Sequence, residues 1–193
     1  GQADGSELAL SQGEDSILMV YGATLTAKGG GYGGGAFLES GSIRNCLVIS
    51  NASTSVGNGG GGLFCRSLMS IANCTVVGNR AHQGCGVLLA DPVAVRNLVV
   101  VDNMAMKSGN TVTNLAPLCT FTDQVNSRHV SQGGLTYNSC IGDSTLKDLN
   151  VNFAANGSIV ADPLFVDAAN GDYTLKLGSP CVNGGAMLDY TAE

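Results

Sequence analysis

Short apolar runs of four or five residues, each bounded by Gly or Asn, recur along this chain at a regular spacing. Three segments align: Gly41-Ser-Ile-Arg-Asn-Cys-Leu-Val-Ile-Ser-Asn51, Met69-Ser-Ile-Ala-Asn-Cys-Thr-Val-Val-Gly-Asn79 and Val93-Ala-Val-Arg-Asn-Leu-Val-Val-Val-Asp-Asn103. Asn45, Asn73 and Asn97 anchor one end, and Asn51, Asn79 and Asn103 the other. Both anchors give periods of 28 and then 24 residues. A second element lies between them: Gly33-Gly-Gly-Ala-Phe-Leu38, Gly60-Gly-Gly-Leu-Phe-Cys65 and Gly84-Cys-Gly-Val-Leu-Leu89, with periods of 27 and 24.

A period of this length with two short β-rich runs describes one coil of a solenoid. A leucine-rich repeat has a similar length, but its leucine spacing is missing and no segment shows helical periodicity. The runs are short and closed by Gly or Asn, which is strand behaviour. Alternation along a strand then sorts the side chains. Cys46, Cys74 and Leu98 share one register and Val48, Val76 and Val100 the next on the same face, which is wholly apolar and points inward. The alternate register contains Leu47, Thr75 and Val99, then Ile49, Val77 and Val101. Its tolerance of Thr suits an outer or partly covered face. In the other run Ala36, Leu63 and Val87 stack, as do Leu38, Cys65 and Leu89. Coils roughly 4.8 Å apart would bring like residues into ladders.

The bounding residues have a physical reason. Asn adopts left-handed backbone readily and bonds its own backbone at turns. Stacked on its equivalents, its amide donates to one neighbour and accepts from the other. The Gly clusters mark turns or positive-φ corners. No Lys-Ser or Lys-Thr follows them, so they do not read as phosphate loops.

Composition narrows the partners. The 193 residues allow one domain, and 44% hydrophobic residues with only 12% charged argue against disorder. The net charge is −6, and the nine basic residues are scattered. This argues against nucleic acid as a partner, because its binders concentrate positive charge. No apolar run approaches the roughly 20 residues of a transmembrane helix. Residues 1–15 are polar and acidic, and are expected to be a lead segment from a mature or trimmed N-terminus. Seven cysteines cannot all pair within one chain. Their density suits an exported protein, yet several occupy aliphatic positions of the repeat, which suits small buried hydrophobes.

The Gly-Gly-Gly-apolar element alternating with Asn73-Cys-Thr-Val-Val-Gly-Asn79 is similar to repeats of the polymorphic outer-membrane proteins of the autotransporter class. Ala161-Asp-Pro-Leu-Phe-Val-Asp-Ala-Ala-Asn-Gly-Asp-Tyr-Thr-Leu175, followed by Gly178-Ser-Pro-Cys-Val-Asn-Gly-Gly185, resembles the last coil and C-terminal cap of pectin-lyase-like proteins of exported bacterial type. The resemblance covers about residues 17–187 and implies an all-β fold, a right-handed parallel β-helix. At the observed period this chain makes about six to seven coils. One domain is expected over 1–193: the lead segment 1–15, regular coils over 16–119, loop-rich coils over 120–156, and the last coil and cap over 157–193. Residues 16–25 read as a first, degenerate strand region, 111–119 as a later one with Val112 one coil above Val87, and 135–141 as another. Residues 120–134 and 142–156 read as loops.

That family includes lyases, hydrolases and adhesins, so the resemblance constrains fold far more than activity. The expected role is an exported or cell-surface module, structural, adhesive or self-assembling. Its partners would be polysaccharide or further copies of the chain joined through the ends of the coil stack. The alternative is a polysaccharide lyase or glycoside hydrolase, or a fragment of one; a phage tail-fibre segment ranks below both. For the enzyme reading, Arg128, His129 and Asp123 are the catalytic candidates, because β-elimination needs a base and a cation beside the uronate carboxylate. Lys147, with Asp143 and Asp148, is a weaker set. Asp162, Asp167 and Asp172, with Asn170, form a calcium candidate; their plainer role is turn chemistry at Asp162-Pro163 and Asn170-Gly171. No other cofactor is implied. Cysteine pairs at metal-ligand spacing do not occur. Cys46 and Cys74 are expected to be free buried thiols, and Cys140 and Cys181 are the candidate bridge. His82 reads as a solvated turn residue. Phe37 and Phe64 are expected to stack on the outer face.

Overall fold

The computed structural model describes residues 19–21, 24–25, 33–38, 41–53, 60–65, 69–82, 85–89, 94–105, 122–123, 128–129, 135–141 and 157–186. They form an all-β arrangement of mostly parallel strands in stacked sheets, compatible with a solenoid. The one helical turn among them is the short 3-10 segment Ala168–Asn170. No helix among the described residues is long and apolar enough to cross a membrane.

Each repeat contributes four strands rather than the two runs visible as apolar clusters. In the repeat that starts at Gly33 these are Ala36–Leu38, Gly41–Arg44, Leu47–Ile49 and Ala52–Ser53. Each strand pairs in parallel with its equivalent in the neighbouring repeat, which makes four sheets. The first sheet joins Ala36–Leu38, Leu63–Cys65 and Val87–Leu89. The second joins Gly41–Arg44, Met69–Ala72, Ala94–Arg96 and Leu135–Tyr137. The third, with six strands, runs from Met19–Tyr21 through Leu47–Ile49, Thr75–Val77, Val99–Val101 and Cys140–Ile141 to Ile159–Val160. The fourth joins Thr24–Leu25, Ala52–Ser53, Arg80–Ala81 and Met104–Ala105.

Left-handed backbone sets the corners. Between the second and third sheets, Asn45, Asn73, Asn97 and Asn138 all have φ between 49° and 53°. Between the third and fourth, the left-handed position falls on Ser50, Gly78 and Asp102, one residue before Asn51, Asn79 and Asn103. The two Asn columns therefore do different jobs. Asn45, Asn73 and Asn97 form the turn itself, and Asn73 and Asn97 each donate a side-chain amide to the preceding Asn, at 3.1 and 2.8 Å. Asn51, Asn79 and Asn103 are buried. Asn79 Oδ1 accepts from both the backbone and side-chain nitrogens of Asn51 at 3.0 Å, and Asn103 Oδ1 does the same for Asn79.

The glycine clusters serve close approach as well as turning. Gly33 and Gly60 have positive φ. Gly35 and Gly62 do not, yet a Cβ on either would lie 2.6 Å from the carbonyl of the corresponding glycine one repeat on, and against a buried Asn side chain. The glycine run is thus where successive repeats and the inner Asn column come closest.

Alternation places the core. Val48, Val76 and Val100 pair in register and are buried, with Cys46, Cys74, Leu63, Ile71 and Ile141 in the same cluster. The column that holds Cys46, Cys74 and Leu98 continues as Ser139 and Ser158. Their hydroxyls accept the backbone N–H groups of Leu98 and Ser139, at 3.0 and 3.2 Å. The opposite face of the third sheet is covered too. Ile49, Val77 and Val101 pack beneath Phe165 and Tyr173 of an antiparallel hairpin, Phe165–Asp167 and Asp172–Leu175. Phe37 and Phe64 stack with ring centroids 5.5 Å apart, and Phe64 is buried. His82 is buried as well, at 8% exposure, and is not the solvated turn residue its neighbours in sequence suggest. The expected strand region at 111–119, with Val112, and the expected loop at 142–156 lie outside the described residues.

Candidate functional site

A cavity of about 320 Å³ lies where the C-terminal segment crosses the outer face of the third sheet. The floor comes from Thr75, Val99, Cys140 and Ile159, residues of one outward register. One wall is the turn column Asn73, Asn97 and Asn138. The other is the segment from Pro180 to Gly185, including Cys181.

Side-chain amides hold that segment down. Ala186 exchanges two hydrogen bonds with Asn97: its N–H donates to Oδ1 and its carbonyl accepts from Nδ2, both at 2.8 Å. Asn138 Nδ2 reaches the Gly184 carbonyl at 3.4 Å. The turn column that links the repeats is therefore also the dock for the C-terminal backbone. Asn138 continues that column after 41 residues in place of 24 or 28. The visible signal is Asn138-Ser-Cys-Ile141, an Asn before a short apolar run, displaced by the long insertion before it.

The cavity lining offers amides, hydroxyls, backbone groups and thiols, with no carboxylate, imidazole or ammonium among them. The Cys140 and Cys181 thiols both line the cavity as near neighbours, and Cys140 Sγ lies 3.4 Å from the Ala161 carbonyl. Burial, reinforced by the neighbouring Cys181 thiol, holds the Cys140 thiol well above the ordinary thiol range. Deeper in the core, burial pushes the Cys65 thiol up to about 12. Cys74 is raised as well, first by its hydrogen bond with the Cys46 thiol and then by burial. None of the six described cysteines is joined in a disulfide; Cys119 lies outside the described residues.

Asp123 and Arg128 are backbone partners in a two-stranded antiparallel ribbon, Thr122–Asp123 with Arg128–His129, and His129 pairs with Thr122. This ribbon lies inside the stretch expected to be a loop. Lys147, Asp143 and Asp148 fall outside the described residues.

The acidic residues of the C-terminal hairpin are exposed and serve local turns. Asp162 Oδ1 accepts the Leu164 N–H at 2.8 Å, Asp167 accepts from the Asn170 amide at 2.7 Å, and Asp172 accepts the N–H and hydroxyl of Thr174. The Thr174 hydroxyl, followed by its N–H, holds the Asp172 carboxyl below the usual carboxylate range. Among the described residues, no three His, Cys, Asp or Glu side chains gather into a metal-binding group. Gly171, with φ of 85°, closes the Asn170-Gly171 corner.

No family model, curated protein or solved structure matches this chain.

Proposed function

We propose that the chain is a right-handed parallel β-helix of pectin-lyase-like type that works as an exported, cell-surface module with a structural, adhesive or self-assembling role. The observation that supports this most directly is the six-strand parallel ladder from Met19–Tyr21 to Ile159–Val160, in which equivalent residues of successive repeats are Cα partners. A closed path through four sheets per repeat is the simplest chain trace for such a ladder, and right-handed crossover is the strong preference of parallel connections. The buried Asn column makes that scaffold rigid and polar in one line, without a reactive group in it. Polysaccharide, or another copy of the chain meeting an end of the ladder, is the partner class we propose.

A carbohydrate-active enzyme is the second reading. It rests on the ribbon that sets Asp123 opposite Arg128 and Thr122 opposite His129, outside the main sheets, where a binding loop would stand. One experiment separates the two. The protein is incubated with uronate-containing and neutral polysaccharides, and co-sedimentation is followed together with the release of unsaturated or reducing ends. Retention or self-association without product is expected; product that disappears in Arg128→Ala would overturn the module reading. Protease shaving of intact cells that carry the natural protein tests the location, and a chain that survives shaving but yields to lysis would refute surface display.

A further inference from the structure

Two cysteines meet between the body of the sheets and the segment that covers them. Cys140 belongs to the third sheet, in the outward register of Leu47, Thr75, Val99 and Ile159. Cys181 comes from the C-terminal segment, just after Ser179-Pro180. Both cysteines line the same cavity, with their thiols close enough to influence each other. Neighbouring backbone fixes both sides. Cys140 N–H donates to the Leu98 carbonyl at 2.7 Å. Cys181 N–H donates to Ser179 Oγ at 3.1 Å, and its carbonyl accepts from Gly184 at 3.2 Å.

We infer that Cys140 and Cys181 are a modification site: a dithiol that low-molecular-mass disulfides oxidise to a bridge, fastening the C-terminal segment to the third sheet. Exposure decides the order of events. Cys140 is buried, whereas Cys181 is partly open to solvent. Cys181 as thiolate attacks the small disulfide, forming a mixed disulfide and releasing one small thiol. Cys140 then gives its proton to solvent base and its sulfur attacks Cys181 Sγ, expelling the second small thiol. Two protein thiols and one small disulfide become one protein disulfide and two small thiols, so electrons and protons balance.

The other pair of neighbouring thiols shows why the site is selective. Cys46 and Cys74 touch, but both are buried in the core. Their sulfurs already lie 3.0 and 3.1 Å from the carbonyls of Arg44 and Ala72. No small disulfide reaches them without unfolding. The inference goes beyond the proposed surface role and does not rest on it, since it concerns only whether these two sulfurs join when an oxidant is supplied.

The bridge would close a loop of 181 − 140 = 41 residues. That length removes substantial freedom from the unfolded chain, so Tm is expected to rise on the order of 5–10 °C on oxidation. The full chain, reduced and repurified, is treated with oxidised glutathione. It is then read by intact mass, by non-reducing peptide mapping and by thermal melting. A mass lower by two hydrogens, a single Cys140–Cys181 linked peptide and the higher Tm are expected. The Cys181→Ser variant, altered at a partly exposed position, should fold, stay unbridged and melt at the same temperature with or without oxidant. A lasting glutathione adduct on Cys181, a bridge between any other pair, or the same oxidant-dependent Tm gain in Cys181→Ser would each overturn the inference.

Discussion

At the residue scale, the stability of this chain is concentrated in a few side chains that stand in for backbone. Asn79 is the clearest. It is fully buried, and its amide nitrogen lies 2.9 Å from the Val48 carbonyl, 3.1 Å from the Val77 carbonyl and 2.9 Å from Asn103 Oδ1. Its oxygen takes two N–H groups from Asn51. Asn79→Ala would strand several buried polar groups at once, each costing about 1–3 kcal/mol. Asn73 makes the same kind of link in the outer column, where water reaches the gap. Urea unfolding of Asn79→Ala should therefore show a loss of about 3 kcal/mol or more, against about 1 kcal/mol for Asn73→Ala. Equal losses would mean that the two columns are energetically alike. Both columns are legible in the sequence, because Asn45 to Asn97 and Asn51 to Asn103 repeat with one period. Their division of labour is not legible. Which Asn takes the left-handed turn, and which hands it to Ser50, Gly78 or Asp102, depends on where the chain bends relative to the next repeat. The burial of His82 escapes the sequence for the same reason: a polar residue beside Gly reads as turn until its neighbours are placed.

Among the elements, the strands are short and the decisive contacts are distant. The apolar clusters reveal the first and third strands of a repeat. Gly41–Arg44 and Ala52–Ser53 carry too few apolar positions for alternation to register, so half of the pairing rows become visible only in the fold. The hairpin Phe165–Asp167 with Asp172–Leu175 is announced by Asn170-Gly171, but its docking on Ile49, Val77 and Val101 joins positions more than sixty residues apart. The candidate cavity escapes notice similarly, since Asn97 and Ala186 meet only once the C-terminal segment has folded back. Phe165 and Tyr173 meet edge to face, with centroids 5.2 Å apart and planes at 89°. A double-mutant cycle with Phe165→Leu and Tyr173→Leu should give a coupling energy of about 0.5–1.5 kcal/mol. Additive effects would show that each ring contributes only by covering the sheet. The same hairpin carries a pH signature. The Asp172 carboxyl is held below its ordinary range by Thr174, so the charged form is the one the fold favours. That contribution is present above the unfolded carboxylate pKa of about 3.9 and is lost as pH falls through the lower folded value. An NMR titration should place the Asp172 midpoint below that of an ordinary aspartate, and Thr174→Val should bring it back up. An unchanged midpoint in Thr174→Val would assign the shift to something other than that hydroxyl.

Across the whole molecule, the pairing pattern makes stability a sum over neighbours. Every strand of the third sheet between Leu47–Ile49 and Cys140–Ile141 is hydrogen-bonded on both sides, whereas Ile159–Val160 has one partner strand among the described residues, and Val160 is half exposed. In a stack of repeats each unit is held by its interfaces, so a unit with one interface opens more easily than a unit with two. Opening Ile159–Val160 also leaves the valine column from Val48 to Val100 intact, and with it the buried Asn51, Asn79 and Asn103. Amide exchange should therefore be slowest in Thr75–Val77 and Val99–Val101. It should be at least about tenfold faster in Ile159–Val160, a difference of about 1.4 kcal/mol in opening free energy. Residue-resolved hydrogen exchange in the reduced protein measures this directly. Uniform protection along the ladder would mean that all the repeats open together. The interfaces would then be too strongly coupled for the end strand to act alone, and the neighbour-by-neighbour account of the fold would have to give way to a single cooperative core.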